Sequence, residues 1–437
     1  MDVRLAALKC LIKILEYNKF FDEVFNSCAE KVKSPSELKF ILSGAVKYKI
    51  TLDYYINRVS SRKVKKLSPV VRNILRLGVY ELEFLKKPEY AAVNSYVELC
   101  AKQDKKSISF VNAVLRSFLR KKNSFAINEK ELGTIGFISV KYSHPEWLVE
   151  KWLKTYGREQ TEKICDYNNR PASTSLRINT LKTNLDSLLK TFSESNINFK
   201  RSRYSKNCII VSEAGNVRNI PGYCEGQWVV QGESSSLVSE ILAPQPGEKI
   251  LDFCAAPGAK TTHIAALMKD QGKVLAIDIS PERIKRISEN CSRLGIKSVE
   301  TITGDAAGLE FEEKFDRVLV DAPCSNTGVF AARPDARWRK TPEDINTLSE
   351  LQMKILKNAA KQLKPGGILV YSTCSIEPEE NEELINSFLR ENKKFKPEKF
   401  KLDNVFGNEE FPGMLQILQS KQDIDGFFIA KLLKCSE

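Results

Sequence analysis

Histidine is almost missing from this chain, which has only His144 and His263. Chemistry built on imidazole therefore has little to work with. The 11 cysteines include no Cys-x-x-Cys pair, so a zinc cluster with ligand spacing is not expected, and no metal site is. A disulfide framework is not expected in a chain this long without a secretion signal, so the thiols read as reduced, most of them as small core hydrophobes. No Gly-x-Ser-x-Gly elbow is present, which removes the commonest serine-hydrolase reading. No uninterrupted apolar run approaches ~18 residues, so no membrane association is expected. Residues Met1–Ala6 run straight into a helical pattern without the features of a signal peptide, and the expected compartment is the cytoplasm.

What is present is positive charge, unevenly placed. The net charge is +13. Residues 1–130 hold 26 Lys/Arg against 13 Asp/Glu, whereas the remainder holds 42 of each, so the whole excess lies in the first third. A basic domain suits a phosphate-rich partner. A solvated lysine surface accounts for the charge equally well.

Periodicity divides the chain in three. Residues 1–128 read as an all-helical bundle, with Leu5, Leu8, Ile12 and Leu15 at helical spacing, as are Ile74, Leu77, Leu82 and Leu85. Gly78 is a candidate break in the second pattern, and residues 126–139 read as a linker. Residues 140–235 read as a small α+β domain containing a helix from His144-Pro145 and the strands Ser173–Asn179 and Cys208–Val211. Its Arg170, Arg177, Arg201 and Arg203 are candidates for RNA contact or for surface solvation. Residues 236–437 repeat strand, turn and helix, which implies a mostly parallel sheet covered on both faces. The fold class is multidomain, ending in an α/β Rossmann-like domain. No obligate protein partner is evident.

A cofactor site is expected where the first strand of that domain ends, at Cys254-Ala255-Ala256-Pro257-Gly258-Ala259-Lys260. Small residues and Gly258 let the backbone approach a ligand. The spacing is neither Gly-x-Gly-x-x-Gly nor a Walker loop, which disfavours a pyrophosphate cofactor. Asp278, at the end of the next strand, suits ribose hydroxyls, and Asp305, after the third, suits an adenine edge. A nucleoside without phosphates, such as S-adenosylmethionine, fits this set.

Two cysteines lie 50 residues apart, each in a polar turn after a buried-strand pattern: Cys324 in Asp321-Ala322-Pro323-Cys324-Ser325 and Cys374 in Ser372-Thr373-Cys374-Ser375. Ligands bind beyond the carboxyl ends of such strands, so both thiols are expected in one crevice. A thiol pair beside a carboxylate suits covalent chemistry on an electrophilic ring. Physical reasoning alone does not rank the two cysteines.

These motifs, with Tyr371-Ser372-Thr373-Cys374-Ser375-Ile376-Glu377-Pro378-Glu379-Glu380-Asn381, resemble those of the RNA cytosine-C5 methyltransferases in order and spacing. Ile74–Leu82 and Phe110–Arg116 resemble the transcription factor NusB. The combination resembles the RsmB (Sun/Fmu) family, and the likeness covers nearly the whole chain. The resemblance implies a methyltransferase that acts on one cytosine, of the type numbered 967, in small-subunit (16S) ribosomal RNA. It implies S-adenosylmethionine as cofactor, held by Cys254–Lys260, Asp278, Asp305 and Asp321. It assigns Cys374 as the nucleophile that attacks C6 and Cys324 as the residue of product release; in that chemistry Asp321 is the candidate to stabilise charge at N3, and Lys260 is a candidate partner for the base or for Asp321. A transfer-RNA methyltransferase and a non-catalytic RNA-binding assembly factor are the alternatives. Ala259 stands where the family often has a second glycine, and Phe330-Ala331-Ala332-Arg333 stands where it usually carries two further cations. Arg333, Arg337 and Arg339 are the nearby candidates for RNA phosphate, and Trp338 is a candidate to stack on a nucleotide. Phe330 is expected in the core.

Overall fold

The structure, a computed structural model, describes residues 1–85, 87–212, 215–402 and 410–436. The chain forms two compact units. Met1–Pro171 with Phe330–Lys340 make the first, and Ala172–Val329 with Thr341–Glu437 the second. The region expected at 140–235 is thus divided between them.

The first unit is helical. Helices Val3–Glu16, Pro35–Lys47, Lys49–Val59, Glu89–Gln103 and Ile108–Lys121 surround Pro69–Glu83, which is buried along most of its length. Ser68 caps that central helix by accepting from the Val71 N–H, and Pro69 fits its first turn. Leu8, Leu42, Ile56, Leu75, Leu77, Leu115 and Phe118 make one continuous core. Burying each leucine contributes roughly 1.5–3 kcal/mol. Gly78 does not break the helix. A methyl there would meet Leu115 Cδ2 at 2.9 Å, so the glycine lets two helices approach closely. The expected linker is mostly helix Glu129–Tyr142, capped by Asn128 and broken at Gly133, where φ is 67°. Gly133, Thr134 and Gly136 weaken its helical signal, while Ile138 and Val140 anchor it by burial.

The second unit holds two main sheets. The small one is antiparallel, with strands β1 (Thr174–Ile178), β2 (Phe199–Arg201), β3 (Cys208–Val211) and β4 (Trp228–Val230) in the order β2-β3-β1-β4. Helix Leu185–Glu194 packs on it through Leu188 and Phe192. In the large sheet, β5 (Lys249–Phe253), β6 (Lys273–Asp278), β7 (Val299–Thr303), β8 (Phe315–Asp321) and β9 (Leu363–Thr373) are parallel. The chain continues through β10 (Phe395–Pro397), β11 (Phe400–Lys401), β12 (Glu410–Phe411), β13 (Met414–Ile417) and β14 (Phe427–Lys434). The large sheet runs β10-β14-β9-β8-β5-β6-β7, with β14 antiparallel to β9 and β13 paired to β14.

Strand alternation sends Ile250, Val274 and Leu319 to one face and Leu251, Leu275 and Val318 to the other, where separate cores form. The order reverses between β5 and β8. This is the kind of position at which an open parallel sheet offers a crevice beyond its carboxyl ends.

Candidate active site

The turn after β5 is shaped for close approach. Cys254 has φ 61° and Gly258 φ 94°, both in the left-handed region. Gly258 takes that conformation without the steric cost of a side chain. Helix Ala259–Leu267 follows with no side-chain cap, and the first N–H groups of a helix have no partner within it. Asp278 closes β6. Its two oxygens accept from Ala256 N and Ser280 N, both at 3.2 Å, and Arg283 pairs with it at 3.3 Å while donating to Ala256 O at 2.9 Å. Asp278 is therefore a fixed acceptor that also holds the turn. Asp305 is exposed just beyond β7, with one oxygen accepting from Ala307 N at 2.9 Å. An open helix start and acidic groups at adjacent strand ends fit an amino-acid nucleoside with free ribose hydroxyls.

The neighbouring strand ends bring the thiols together. β8 and β9 pair with Asp321 opposite Ser372, and the Sγ atoms of Cys324 and Cys374 lie 3.3 Å apart. Cys324 is buried. Its hydrogen bond with Cys374, and then burial, push its pKa well above the usual thiol range, so it stays a protonated thiol at neutral pH. Cys374 is partly exposed and donates to Asn326 Oδ1 at 3.2 Å. Asn326, at φ 64°, also donates to Cys324 O at 2.9 Å. Lys260 reaches from the cofactor-side helix to Asp321 Oδ2 at 2.7 Å, and Ser372 Oγ donates to the other carboxylate oxygen at 2.9 Å. One residue of the first turn of that helix thus grips the carboxylate that precedes the Cys324 loop.

Three supporting groups carry no periodic or motif signal that isolates them. Asp252, on the β5 face turned to the helix, is fully buried and accepts from Thr261 Oγ1 at 2.6 Å. Burial pushes its pKa up to about 7. Arg177 is not on the surface. It is buried, donates to Gln231 Oε1 at 2.5 Å and Thr262 Oγ1 at 3.1 Å, and its pKa is pushed down to about 10 by burial. It ties β1 of the small sheet to the cofactor-side helix, which corrects its candidacy for RNA contact. Glu380 is also fully buried, between the two cysteine loops.

The expected RNA cations at 337 and 339 need correction too. Arg337 is buried within the first unit and donates to Ser143 O at 3.1 Å, Asn168 O at 2.9 Å and Asn169 Oδ1 at 2.9 Å. Arg339 pairs with Asp335 at 2.9 Å and lies over the Phe20 ring at 3.9 Å. Trp338 donates to Val46 O at 2.8 Å and is stacked by Lys49. Phe330 lies in the core, as expected, and Arg333 is exposed.

Residues 239–433 match the family described as 16S rRNA methyltransferase RsmB/F, residues 1–120 the NusB family, and residues 144–218 the ferredoxin-like domain of RsmF/B-like methyltransferases. The chain is 38% identical over 413 residues to the probable ribosomal RNA small subunit methyltransferase B of Synechocystis, covering 92% of each chain. It is 37% identical to the Bacillus subtilis protein of the same name, covering 99% of each. Among solved structures, that of PH0851 superposes with a TM-score of 0.81 at 29% identity, covering 99% of both chains. That of NSun6 from Pyrococcus horikoshii with SFG superposes with a TM-score of 0.60 at 25% identity, covering 67% of this chain and 99% of that one. With near-full-length relatives at this identity and a NusB match preceding the methyltransferase match, the chain belongs to the RsmB/F family of 16S rRNA methyltransferases.

Proposed function

We propose that this protein is a cytoplasmic, S-adenosylmethionine-dependent methyltransferase for C5 of one cytosine in small-subunit ribosomal RNA, of the type numbered 967. The observation that carries the reading is the 3.3 Å approach of the Cys324 and Cys374 thiols beside the Lys260–Asp321 pair. Cys254–Lys260, Asp278, Asp305 and Asp321 would hold the cofactor. The presence of SFG, an S-adenosylmethionine analogue, in the NSun6 structure supports that choice. When bound, the cofactor supplies an electrophilic methyl group.

Cytosine C5 is a weak nucleophile, and a thiolate bonded to C6 makes it enamine-like. Cys374, the more accessible thiol, forms that bond as its S–H proton passes to the Asp321 carboxylate. Charge moves toward N3, where Asp321, protonated at that moment and oriented by Lys260 and Ser372, donates a hydrogen bond. After methylation a solvent water takes the proton from C5, the C5–C6 double bond re-forms, the Sγ–C6 bond breaks and Cys374 leaves as a thiolate. Cys324, kept a thiol by its surroundings, donates its S–H toward that departing sulfur. The target base must be unstacked or already unpaired.

The test is a pair of variants incubated with ribosomal RNA and cofactor. Cys374→Ala should give neither methylation nor a covalent complex. Cys324→Ala should accumulate a protein–RNA species that survives a denaturing gel. An adduct in the Cys374 variant, and none in the Cys324 variant, would reverse the assignment. Bisulfite sequencing of RNA from a deletion strain separates a ribosomal target from a transfer-RNA target. Labelled methyl transfer separates an enzyme from an assembly factor.

A further inference from the structure

Glu380 closes a hydrogen-bonded bridge between the two cysteine loops. Its carboxylate is fully buried. One oxygen accepts from Ser325 N and from Gln352 Nε2, both at 2.9 Å. The other accepts from Ser375 Oγ at 2.5 Å and from Ser325 Oγ. Ser325 directly follows Cys324, and Ser375 directly follows Cys374. Gln352 also donates to Pro323 O at 2.9 Å, so Cys324 is held from both sides. The two serine hydroxyls lie 3.0 Å apart, each with its single hydrogen directed to the shared carboxylate oxygen. Four donors converging on one buried carboxylate make a rigid, charge-assisted junction.

Resting on the covalent mechanism above, we propose that Glu380 is a positioning residue. It sets the distance between the two thiols and so controls how fast Cys374 is released from the methylated base. The first half of the reaction needs the Cys374 thiol and Asp321, and Lys260 and Ser372 hold Asp321 independently of Glu380. The second half needs Cys324 against Cys374, and that juxtaposition depends on the bridge. Misplacing a reacting pair by about 1 Å costs on the order of 100-fold in rate.

Glutamine is the informative conservative replacement. Its carbonyl oxygen can keep Ser325 N and Gln352 Nε2, while its NH2 group faces two hydroxyls that can rotate to accept. The geometry survives without the charge. Alanine leaves all four donors without their acceptor.

The experiment compares Glu380→Ala, Glu380→Gln and the double variant Ser325→Ala with Ser375→Ala, alongside Cys324→Ala. Cofactor affinity, single-turnover adduct formation and multiple-turnover methylation are measured on the full chain. The expected result is adduct formation near the parent rate in Glu380→Ala, turnover reduced roughly 10- to 100-fold, an adduct that accumulates, and rescue in Glu380→Gln. The serine double variant should show the same split in milder form and reports on the bridge even where Glu380→Ala does not fold. Parent-like turnover in the double variant, or equal loss of adduct formation and turnover, would overturn the proposal. If Cys324→Ala itself forms no adduct, the covalent reading fails first and this role fails with it. An adduct in Cys324→Ala with no accumulation in the bridge variants refutes the bridge alone.

Discussion

Replacing Asp252 by Asn should change how stability depends on pH, in a direction fixed by its surroundings. The side chain is fully buried on the β5 face next to helix Ala259–Leu267. Oδ2 has the Thr261 hydroxyl, whereas Oδ1 has no hydrogen-bond partner among the described residues. Burial is the largest cause raising its pKa from 3.8 to about 7, with Asp321 adding to the rise and Lys260 opposing it. A carboxyl raised in this way keeps its proton in the folded chain after the unfolded chain has released it. The folded state is therefore favoured below about pH 4, loses stability as pH rises toward 7, and carries the full penalty above that. Three pKa units at roughly 1.4 kcal/mol each set an upper bound of about 4 kcal/mol. Asparagine does not titrate and can still accept from Thr261. The stability difference, Asp252→Asn variant minus parent, should thus grow in the variant's favour between pH 4 and pH 8. Thermal melts of both proteins at several pH values measure it. A difference that stays constant across that window would refute the reasoning. The same neutral carboxyl leaves the Lys260 charge to Asp321, so the titration bears on the site as well as on the fold.

Asp278→Ala should weaken S-adenosylmethionine binding by roughly 1–3 kcal/mol, since a ribose donor is left unpaired, and unchanged affinity in calorimetry would remove Asp278 from the cofactor site. Replacing the exposed Lys63, Lys65 and Lys66 together by Gln should flatten the salt dependence of RNA binding by about 0.7–0.9 in the log–log slope for each phosphate no longer neutralised, with cofactor affinity retained. An identical slope would make those lysines a solvated surface and no more.

The parallel sheet and the meeting of the two cysteines were legible because their signals are local. β-branched runs such as Arg317–Val320 set the strands, Asp321 ends β8, and the turns after the strands carry Cys324 and Cys374. Pairing β8 with β9 then brings together thiols that are 50 residues apart in sequence. Glu380 lay inside a motif already noticed, yet its function as an acceptor depends on Ser325 N, which no spacing rule connects to it. Helix Glu129–Tyr142 was hidden because Gly133, Thr134 and Gly136 oppose helix formation locally, and tertiary burial of Ile138 and Val140 outweighs that.

The arginines show where sequence reading fails in principle. In sequence, a guanidinium bound for phosphate and one bound for backbone carbonyls are the same residue. Arg337 meets the carbonyls of Ser143 and Asn168, and Arg177 meets Gln231 and Thr262. Burying such a charge is tolerable only because these oxygens replace its water. Neither residue is therefore available to an RNA backbone, although Arg337 has Arg333, Arg339 and Lys340 close by in sequence. The candidates for phosphate contact are the cations that remain solvated, such as Lys63, Lys65 and Lys66 around the short turn Val64–Lys66. Net charge thus fits a phosphate-rich partner or a solvated surface equally, while the distribution of buried oxygen atoms decides which cations are left exposed. An Arg337→Ala change should accordingly lower the melting temperature before it alters the salt slope of RNA binding. The opposite order would return Arg337 to the RNA surface.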